Sequence, residues 1–274
     1  MIIIYQNLGC MGGNNPFPVI DCMRLLNADE NKAADGFVFV EASQSSAGYK
    51  DFESFSIGKG YSLYTEAVRP GQNQVIIGLR STIKVLHSNG LGIVTPQKFS
   101  GRGLRANCVS QEEVVAPNYH RIVIELAGMP VNLIGARILH YPFKDKNGII
   151  MPKSYNARLC SFRQMEEALN RDLRQVCAPT VVLMDGNNAR YLGSFDAYDP
   201  QAYVGKAQKN YNFHILRAEM LNHYGLILME NKSDYSFGPA HDDHAFFRGF
   251  DMDAVQAEFF SNKGFDHKGI RVKF

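Results

Sequence analysis

The stretch that indicates the fold is Thr180 to Asn188, TVVLMDGNN. Its first five residues are mostly apolar and begin with β-branched side chains, which is typical of a buried strand. The run ends at Asp185-Gly186-Asn187-Asn188, three polar residues and a glycine, which is a segment that a core strand does not tolerate. Upstream, apolar side chains in residues 161–176 recur every three or four positions, which predicts a helix leading into the strand. A helix, a turn and an apolar strand followed by Asp-x-Asn indicate an α/β protein with its chemistry at the end of this strand.

The polar atoms of this motif suit a divalent metal beside a phosphate. Asp185 offers a carboxylate, and the amide of Asn187 can donate to one oxygen while it accepts from another. The sequence D-G-N is also ordinary turn chemistry, because short polar side chains bond to the local backbone. The motif alone leaves both interpretations open.

The composition predicts one ordinary globular domain over residues 1–274. Hydrophobic residues make up 45% of the chain and charged residues 20%, which is enough apolar material for a sizeable core. No repeat, low-complexity segment or change of composition marks a boundary between domains. The net charge of +2 neither demands nor excludes a nucleic-acid partner.

The cysteines and the N-terminal residues predict a cytoplasmic protein. The five cysteines are scattered and include no C-x-x-C pair, so we expect reduced thiols. The apolar start of the chain has no basic flank and no small-residue cleavage site. No window approaches the roughly 18 apolar residues of a membrane-spanning helix.

Polar side chains stand at the ends of several other predicted strands. A carboxylate there is costly near a core unless it is paired or bound to a metal, although exposure to solvent would explain any one position alone. The six positions are Asn7, Glu41, His140, Asp185 with Asn187, Asp243, and Asp266 with His267.

Between the second and third of these positions the chain predicts a β-meander and a basic loop. Residues 61–95 form short apolar or alternating runs separated by Gly and Pro. The loop GRGLR places Arg102 and Arg105 where they could contact a nucleic-acid backbone. Solvated charges are the alternative, because no helix follows that would favour a phosphate cradle.

The order and surroundings of the six positions resemble the endonuclease/exonuclease/phosphatase superfamily, which includes pancreatic deoxyribonuclease. Its first strand ends in Asn, as at Asn7, and its second in a metal-binding Glu, as at Glu41 in FVFVEAS. A strand that ends in His, as at His140 in RILHYP, matches the deoxyribonuclease branch. The motif G-D-x-N resembles residues 184–187, and S-D-H resembles residues 265–267. The resemblance covers essentially the whole chain.

Three departures loosen this match without removing a catalytic atom. Met184 replaces the usual Gly, and Phe265 replaces the usual Ser. The segment that supplies Asp243 has Asp242 in place of Ile. Asp243 is the better match to the family's catalytic Asp, and Asp242 is the alternative if the alignment is shifted by one residue.

The resemblance implies a four-layer sandwich of the α/β (α+β) class, with two mainly antiparallel β-sheets packed face to face and helices outside. It implies a phosphodiesterase that depends on Mg²⁺ or Mn²⁺. The metal would be held by Glu41, Asp266 and Asn7, and Asn7 and Asn187 would also position substrate oxygens. The implied catalytic residues are His140, Asp185, Asn187, Asp243 and His267.

The mechanism follows from the charge of the substrate. A phosphodiester is anionic and repels hydroxide, so the site must supply positive charge and hold the reacting groups in line. Either His267 or Asp185 would activate the water, and His140 would donate to a phosphate oxygen or the leaving group.

Nucleic acid is the expected substrate, with a small-molecule or lipid-headgroup phosphate as the alternative. A catalytically inactive binding module on the same fold is a third interpretation. A separate zinc or iron site in residues 241–244 is disfavoured, because consecutive residues of an extended segment point to opposite faces.

Overall fold

The structure is a computed structural model that describes residues 1–10, 14–66, 73–90, 118–138, 164–174, 177–191, 216–229, 236 and 240–274. Within these residues the chain forms twelve strands. They are β1 (Ile2–Asn7), β2 (Gly36–Ala42), β3 (Tyr61–Thr65), β4 (Gln74–Arg80), β5 (Val85–Gly90), β6 (Asn118–Leu126), β7 (Met129–Arg137), β8 (Thr180–Tyr191), β9 (Ile227–Leu228), β10 (Ala240–Arg248), β11 (Gln256–Phe260) and β12 (Gly269–Lys273). The helices are α1 (Val19–Asn27) and α2 (Tyr49–Gly58), with α3 described over 164–173 and α4 over 216–224.

The strands form two six-stranded sheets with the same pattern of pairing. The order is β11-β12-β1-β2-β4-β3 in the first sheet and β5-β6-β7-β8-β10-β9 in the second. Each sheet has one parallel pair at its centre, β1 with β2 and β7 with β8. The other described pairs are antiparallel. The prediction of two mainly antiparallel sheets is therefore confirmed.

Side chains alternate along β8, so the second sheet separates two apolar cores, one on each of its faces. Val181 and Leu183 pack into the core between the two sheets. Val182 and Met184 point the other way, into a core formed with α3 and α4. Successive side chains of a strand point to opposite faces, so one uninterrupted apolar run supplies both cores.

The first sheet is covered by helices in the same way. Val38 and Val40 of β2 face the core between the sheets. Phe37 and Phe39 face outward and pack with Phe52 of α2. The order of layers is therefore helix, sheet, sheet, helix, which confirms the predicted sandwich. No helix in the described part of the chain is long and apolar enough to span a membrane.

Three expectations about the strands are wrong in detail. The predicted meander is divided, because β3 and β4 pair in the first sheet whereas β5 joins β6 in the second. β8 does not end at Asp185 but continues to Tyr191, and Asp243 lies within β10 rather than at its end. Both residues keep ladder partners in the sheet, so they are polar positions inside strands.

A glycine in β4 makes room for the aromatic core of the first sheet. A Cβ at Gly78 would clash with the ring of Phe37, which is fully buried against Phe39, Phe52 and Tyr61. We therefore expect Gly78→Ala to lower the free energy of unfolding by about 2 kcal/mol, as overpacking does. Urea unfolding would measure this change.

Gly58→Ala is the matched control, because a Cβ at Gly58 meets nothing within 4 Å. Alanine is the better helix former, so this variant should be as stable as the parent or slightly more stable. Equal stability of the Gly78→Ala variant and the parent would contradict the packing described for Phe37.

Candidate active site

Polar side chains form a row across the second sheet at one level of three neighbouring strands. Asp185 of β8 pairs in register with Arg137 of β7 and with Asp243 of β10. Asp185 follows Val181 and Leu183 at a spacing of two, so it continues the strand face that lines the core between the sheets. The site is therefore the polar end of that core.

Asp185 is the most heavily hydrogen-bonded group of the row. It is buried, with 1% exposure, and its Oδ2 accepts from Asn7 Nδ2 at 3.0 Å and from Asn187 Nδ2 at 2.9 Å. Its Oδ1 accepts from the backbone N–H of Asn187 at 2.8 Å. Three N–H donors on one carboxylate hold its two oxygens in fixed directions.

A left-handed residue brings the amide of Asn187 back onto Asp185. Asn187 has φ +45°, a conformation that Asn adopts more readily than most residues. Its Nδ2 also donates to the carbonyl oxygen of Ile138 at 2.7 Å. The contact that the turn interpretation of the motif describes is therefore present, as the bond from the Asn187 N–H to Asp185 Oδ1.

Asp243 links β10 to the segment that precedes β12. Its Oδ2 accepts from His267 Nδ1 at 2.6 Å, and its Oδ1 accepts from the hydroxyl of Tyr5 at 2.7 Å. The pairing of β10 with β8 shifts register just before Asp243, and Ser236 Oγ accepts the backbone N–H of Asp243 at 3.0 Å. Gln6 Nε2 donates to the carbonyl oxygen of His267 at 2.9 Å. Both sheets therefore contribute to the position of the imidazole.

The charges in the site shift two pKa values in ways that matter for chemistry. Burial lowers the pKa of His267, but the charge of Asp243 and its hydrogen bond outweigh burial and raise this pKa to about 10. Burial, with the charge of Asp243 as the next cause, raises the pKa of the Asp185 carboxyl above its usual range. His267 is therefore an imidazolium at neutral pH, and Asp185 binds a proton more readily than an exposed carboxylate does.

Glu41 enters the site through an irregularity in β2. Val38 and Val40 face the core between the sheets, so regular alternation would turn residue 41 outward. Glu41 instead has φ +50°, and the pairing of β2 with β4 shifts register between Phe39 and Ala42. Its carboxylate Oε1 pairs with Arg137 Nη2.

Arg137 and Tyr5 are site residues that the sequence analysis did not identify. Arg137 contacts Glu41, and its Nε lies 3.7 Å from Asp185 Oδ2. Tyr5 is fully buried in the core between the sheets, with only its hydroxyl directed at Asp243. Arg137 could have been found from its position on an apolar strand. It is a charged residue two positions beyond Gly135, which faces the core between the sheets.

The remaining predicted residues are placed as follows. Asp266 is exposed and directly precedes His267. His244 faces outward, with its ring 6.1 Å from that of Phe246, so it points away from Asp243 as the alternation predicts. Three predicted residues lie outside the described part of the chain: His140, Arg102 and Arg105.

The donor set bears on which metal the site could hold. Among the described residues, no three His, Cys, Asp or Glu side chains form a group that could hold a metal ion. The site instead offers the carboxylate of Glu41, which pairs with Arg137, and the amide of Asn7, whose Nδ2 is bonded to Asp185. Mg²⁺ is commonly held by one or two carboxylates, with water and substrate phosphate completing its ligands. The donor set fits such an ion and does not form a zinc cage.

Similar solved structures share this fold over nearly the whole chain. The 3′ phosphatase NExo from Neisseria, bound to a product DNA hairpin, is 15% identical with a TM-score of 0.59, and the match covers 100% of this chain and 99% of that one. TDP2 from D. rerio, complexed with a single-strand DNA product, is 15% identical with a TM-score of 0.54 over 99% and 97%. An endonuclease/exonuclease/phosphatase family protein from Leptotrichia buccalis is 13% identical with a TM-score of 0.56 over 100% and 99%.

The chain therefore has the fold of the endonuclease/exonuclease/phosphatase superfamily, the deoxyribonuclease I-like fold, as the sequence resemblance implied. No family model and no curated protein matches the sequence. The likeness lies in the fold, and the chemistry must be argued from the side chains.

The shifted pKa of His267 makes the stability of the metal-free protein depend on pH. A folded-state pKa of about 10 lies above the usual histidine pKa of 6.5, so the imidazolium stabilises the fold fully below pH 6.5 and loses its effect as pH rises through 10. We expect His267→Gln to destabilise the protein by about 2 kcal/mol at pH 7 and by much less at pH 10. Urea unfolding at the two pH values would measure both differences.

Comparison with the parent is essential, because the buried Cys10 thiol, whose pKa is raised to about 11 by burial, also weakens the fold at alkaline pH in every variant. His223→Gln, at an exposed position of α4, is the control, and its free energy of unfolding should differ from that of the parent by the same small amount at both pH values. A penalty for His267→Gln that does not change with pH would contradict the ion pair with Asp243.

Proposed function

We propose that this protein is a divalent-metal-dependent phosphodiesterase that hydrolyses nucleic acid. The observation that carries the proposal is the buried row of Arg137, Asp185 and Asp243, with Asn7, Glu41 and His267 bonded to it. A chain that only needed to fold would not retain two strained or bulged strands and several buried charges at one edge of its core. Such features are concentrated at sites that perform chemistry.

The charge balance supports a divalent cation. The carboxylates of Glu41, Asp185, Asp243 and Asp266 stand against the cations Arg137 and His267, which leaves two negative charges when all are ionised. A divalent ion would cancel them, so that an anionic phosphodiester no longer meets a negative site. When bound, the metal would polarise the phosphate and neutralise the charge that develops in the transition state. We propose Mg²⁺ or Mn²⁺ at Glu41, with Asn7 and Asp266 as supporting oxygen ligands.

The two shifted pKa values suggest how the protons move. His267 is protonated at neutral pH, so it is suited to donate a hydrogen bond to a phosphate oxygen and unsuited to accept a proton. Asp185 has a raised pKa and an orientation held by three N–H donors, which suits a general base that takes the proton of the attacking water. We propose Asp185 as the base, His267 as a charge-stabilising donor and His140 as the proton donor on the leaving-group side.

Asn7, Asn187 and Asp243 would position these groups. The amide of Asn7 holds Asp185 from the first sheet, and that of Asn187 holds it from within β8. Asp243 fixes the imidazole of His267 and stabilises its charge. Side chains locked by their own hydrogen bonds keep a reaction geometry without reorganising.

Nucleic acid is the substrate that we propose. Two of the similar structures hold DNA products, a DNA hairpin on NExo and a single strand on TDP2. We also propose that Arg102 and Arg105 contact the backbone of the nucleic acid. Residues 1–274 would act as one domain, and the protein would work in the cytoplasm. The second candidate is a phosphatase or phosphodiesterase that acts on a smaller phosphate ester.

Activity should require a divalent metal and the charge of Glu41. We expect Mg²⁺ or Mn²⁺ to support nicking of supercoiled plasmid and EDTA to abolish it. Glu41→Gln should raise the metal concentration needed for half-maximal rate by about tenfold or more, because the amide keeps the shape of the side chain but loses its charge. The control is Glu53→Gln, which removes the charge of a carboxylate on α2 that pairs with Lys50. Undiminished nicking in excess EDTA would exclude the proposal.

Asp185→Asn should reduce nicking at least about 100-fold, as the loss of one acid or base group typically does. Asp172→Asn is the matched control, since Asp172 is also a buried carboxylate with several donors, including the hydroxyl of Tyr119 at 2.8 Å. The control should lower stability while leaving the rate per folded molecule unchanged. A near-normal nicking rate for Asp185→Asn would refute the role of Asp185 as base.

Phosphate release from nucleotides and inositol phosphates should be measured in parallel with nicking. Rapid phosphate release without nicking would favour the second candidate function.

A further inference from the structure

Arg137 is placed to contact two acidic groups from opposite sheets. Its Nη2 pairs with Glu41 Oε1 of the first sheet, and its Nε lies 3.7 Å from Asp185 Oδ2 of the second. The side chains of Arg137 and Glu41 are each 15% exposed. The contact is therefore partly open to solvent, unlike Asp185, whose side chain is 1% exposed.

Arg137 does not use all of its donors in this arrangement. Among the residues that the structure describes, its buried Nε finds no hydrogen-bond partner, because the 3.7 Å to Asp185 Oδ2 is an electrostatic contact rather than a hydrogen bond. A guanidinium carries five N–H donors in a planar fork that matches the oxygens of a phosphate. An arginine with a spare donor beside the proposed reaction centre is suited to a phosphate ligand.

The position of Arg137 also conflicts with a metal at Glu41. A guanidinium and a divalent cation on the same carboxylate repel each other strongly where solvent screening is weak. Metal binding would therefore be opposed while Arg137 occupies Glu41. A phosphate that drew the guanidinium away would remove this opposition.

We propose that Arg137 exchanges Glu41 for the phosphate of the substrate, so that metal and phosphodiester bind cooperatively. In the free protein Arg137 neutralises Glu41 and weakens its affinity for metal. When the phosphodiester binds, the guanidinium bonds its oxygens and leaves Glu41 to the metal. Each ligand then raises the affinity of the other by the same factor. This inference rests on the proposed metal-dependent function and adds a regulatory role for a residue of the same site.

The alternative is that Arg137 only ties the two sheets together. Removing one partner of a partly buried ion pair destabilises a fold because the other charge is left unpaired. That role predicts a change in melting temperature for Arg137 variants while the coupling between metal and phosphodiester stays as it is in the parent. Mn²⁺ affinity measured without and with a phosphodiester therefore separates the two roles.

The test is calorimetric titration of Mn²⁺ into the whole protein, with no turnover involved. We expect Arg137→Met, which keeps the length of the side chain without its charge, to bind Mn²⁺ about tenfold or more tightly than the parent when no phosphodiester is present. Arg137→Lys, which keeps the charge, should not gain affinity. Arg271→Met is the control, because Arg271 pairs with Glu258 and Asn31 and should leave Mn²⁺ binding unchanged.

The second arm repeats the titration with a dithymidine phosphorothioate, a charged diester that resists hydrolysis, and with its neutral methylphosphonate counterpart. In the parent the phosphorothioate should tighten Mn²⁺ binding about tenfold and the methylphosphonate should not. In Arg137→Met the tightening should fall to a small fraction of that in the parent.

Unchanged or weaker Mn²⁺ binding by folded Arg137→Met would overturn the exchange and leave Arg137 a structural tie. Circular dichroism and thermal melts would establish that the variant is folded, and Arg137→Gln provides a second uncharged side chain if the methionine variant does not fold. Mn²⁺ binding that survives Glu41→Gln at full strength would count against the proposed metal site itself, which is a different failure. Absence of Mn²⁺ binding in both the parent and Arg137→Met would overturn both proposals.

Discussion

The buried carboxylate of Asp185 is the group on which the rest of the site depends. An ionised carboxylate without water costs roughly several kcal/mol unless donors and opposite charges surround it. Asp185 receives one N–H from Asn7 of the first sheet and two from Asn187 of its own strand, with Arg137 3.7 Å away. Asn7 reaches Asp185 only when the two sheets pack, so folding of the sandwich and completion of the site are the same event. The apolar core between the sheets therefore also aligns the polar groups at its edge.

Much of this arrangement could be predicted from the sequence because strand alternation is visible there. Asn7 and Asp185 each follow apolar residues at a spacing of two, and this pattern assigns them to the face that lines the core. The motifs around Glu41, Asn187 and His267 follow one another in the same order as those of the family, and this agreement indicated that they belong to one site. The structure brings these residues into one connected group. Whether they perform the roles that the resemblance implies stays a prediction.

The residues that escaped prediction look ordinary in a sequence. Tyr5 belongs to an apolar strand and is expected in a core, and nothing local shows that its hydroxyl reaches Asp243, 238 residues further along the chain. Arg137 is a charged residue near a strand end, where exposure is the usual outcome. Glu41 was predicted for its chemistry, but alternation alone would turn it outward, and only the positive φ and the register shift place it in the site. The division of β3, β4 and β5 between two sheets could not be predicted, because a local pattern does not reveal which sheet a strand joins.

The most direct test of this account is to locate a metal in crystals soaked with Mn²⁺ and the hydrolysis-resistant dithymidine phosphorothioate. Anomalous diffraction at a wavelength where manganese scatters strongly would place the ion without reference to any assay. The account predicts a peak at bonding distance from the Glu41 carboxylate, with a substrate oxygen beside it and Asp185 facing the phosphorus. Manganese bound only elsewhere at saturating concentration, with Glu41 still paired to Arg137, would contradict it.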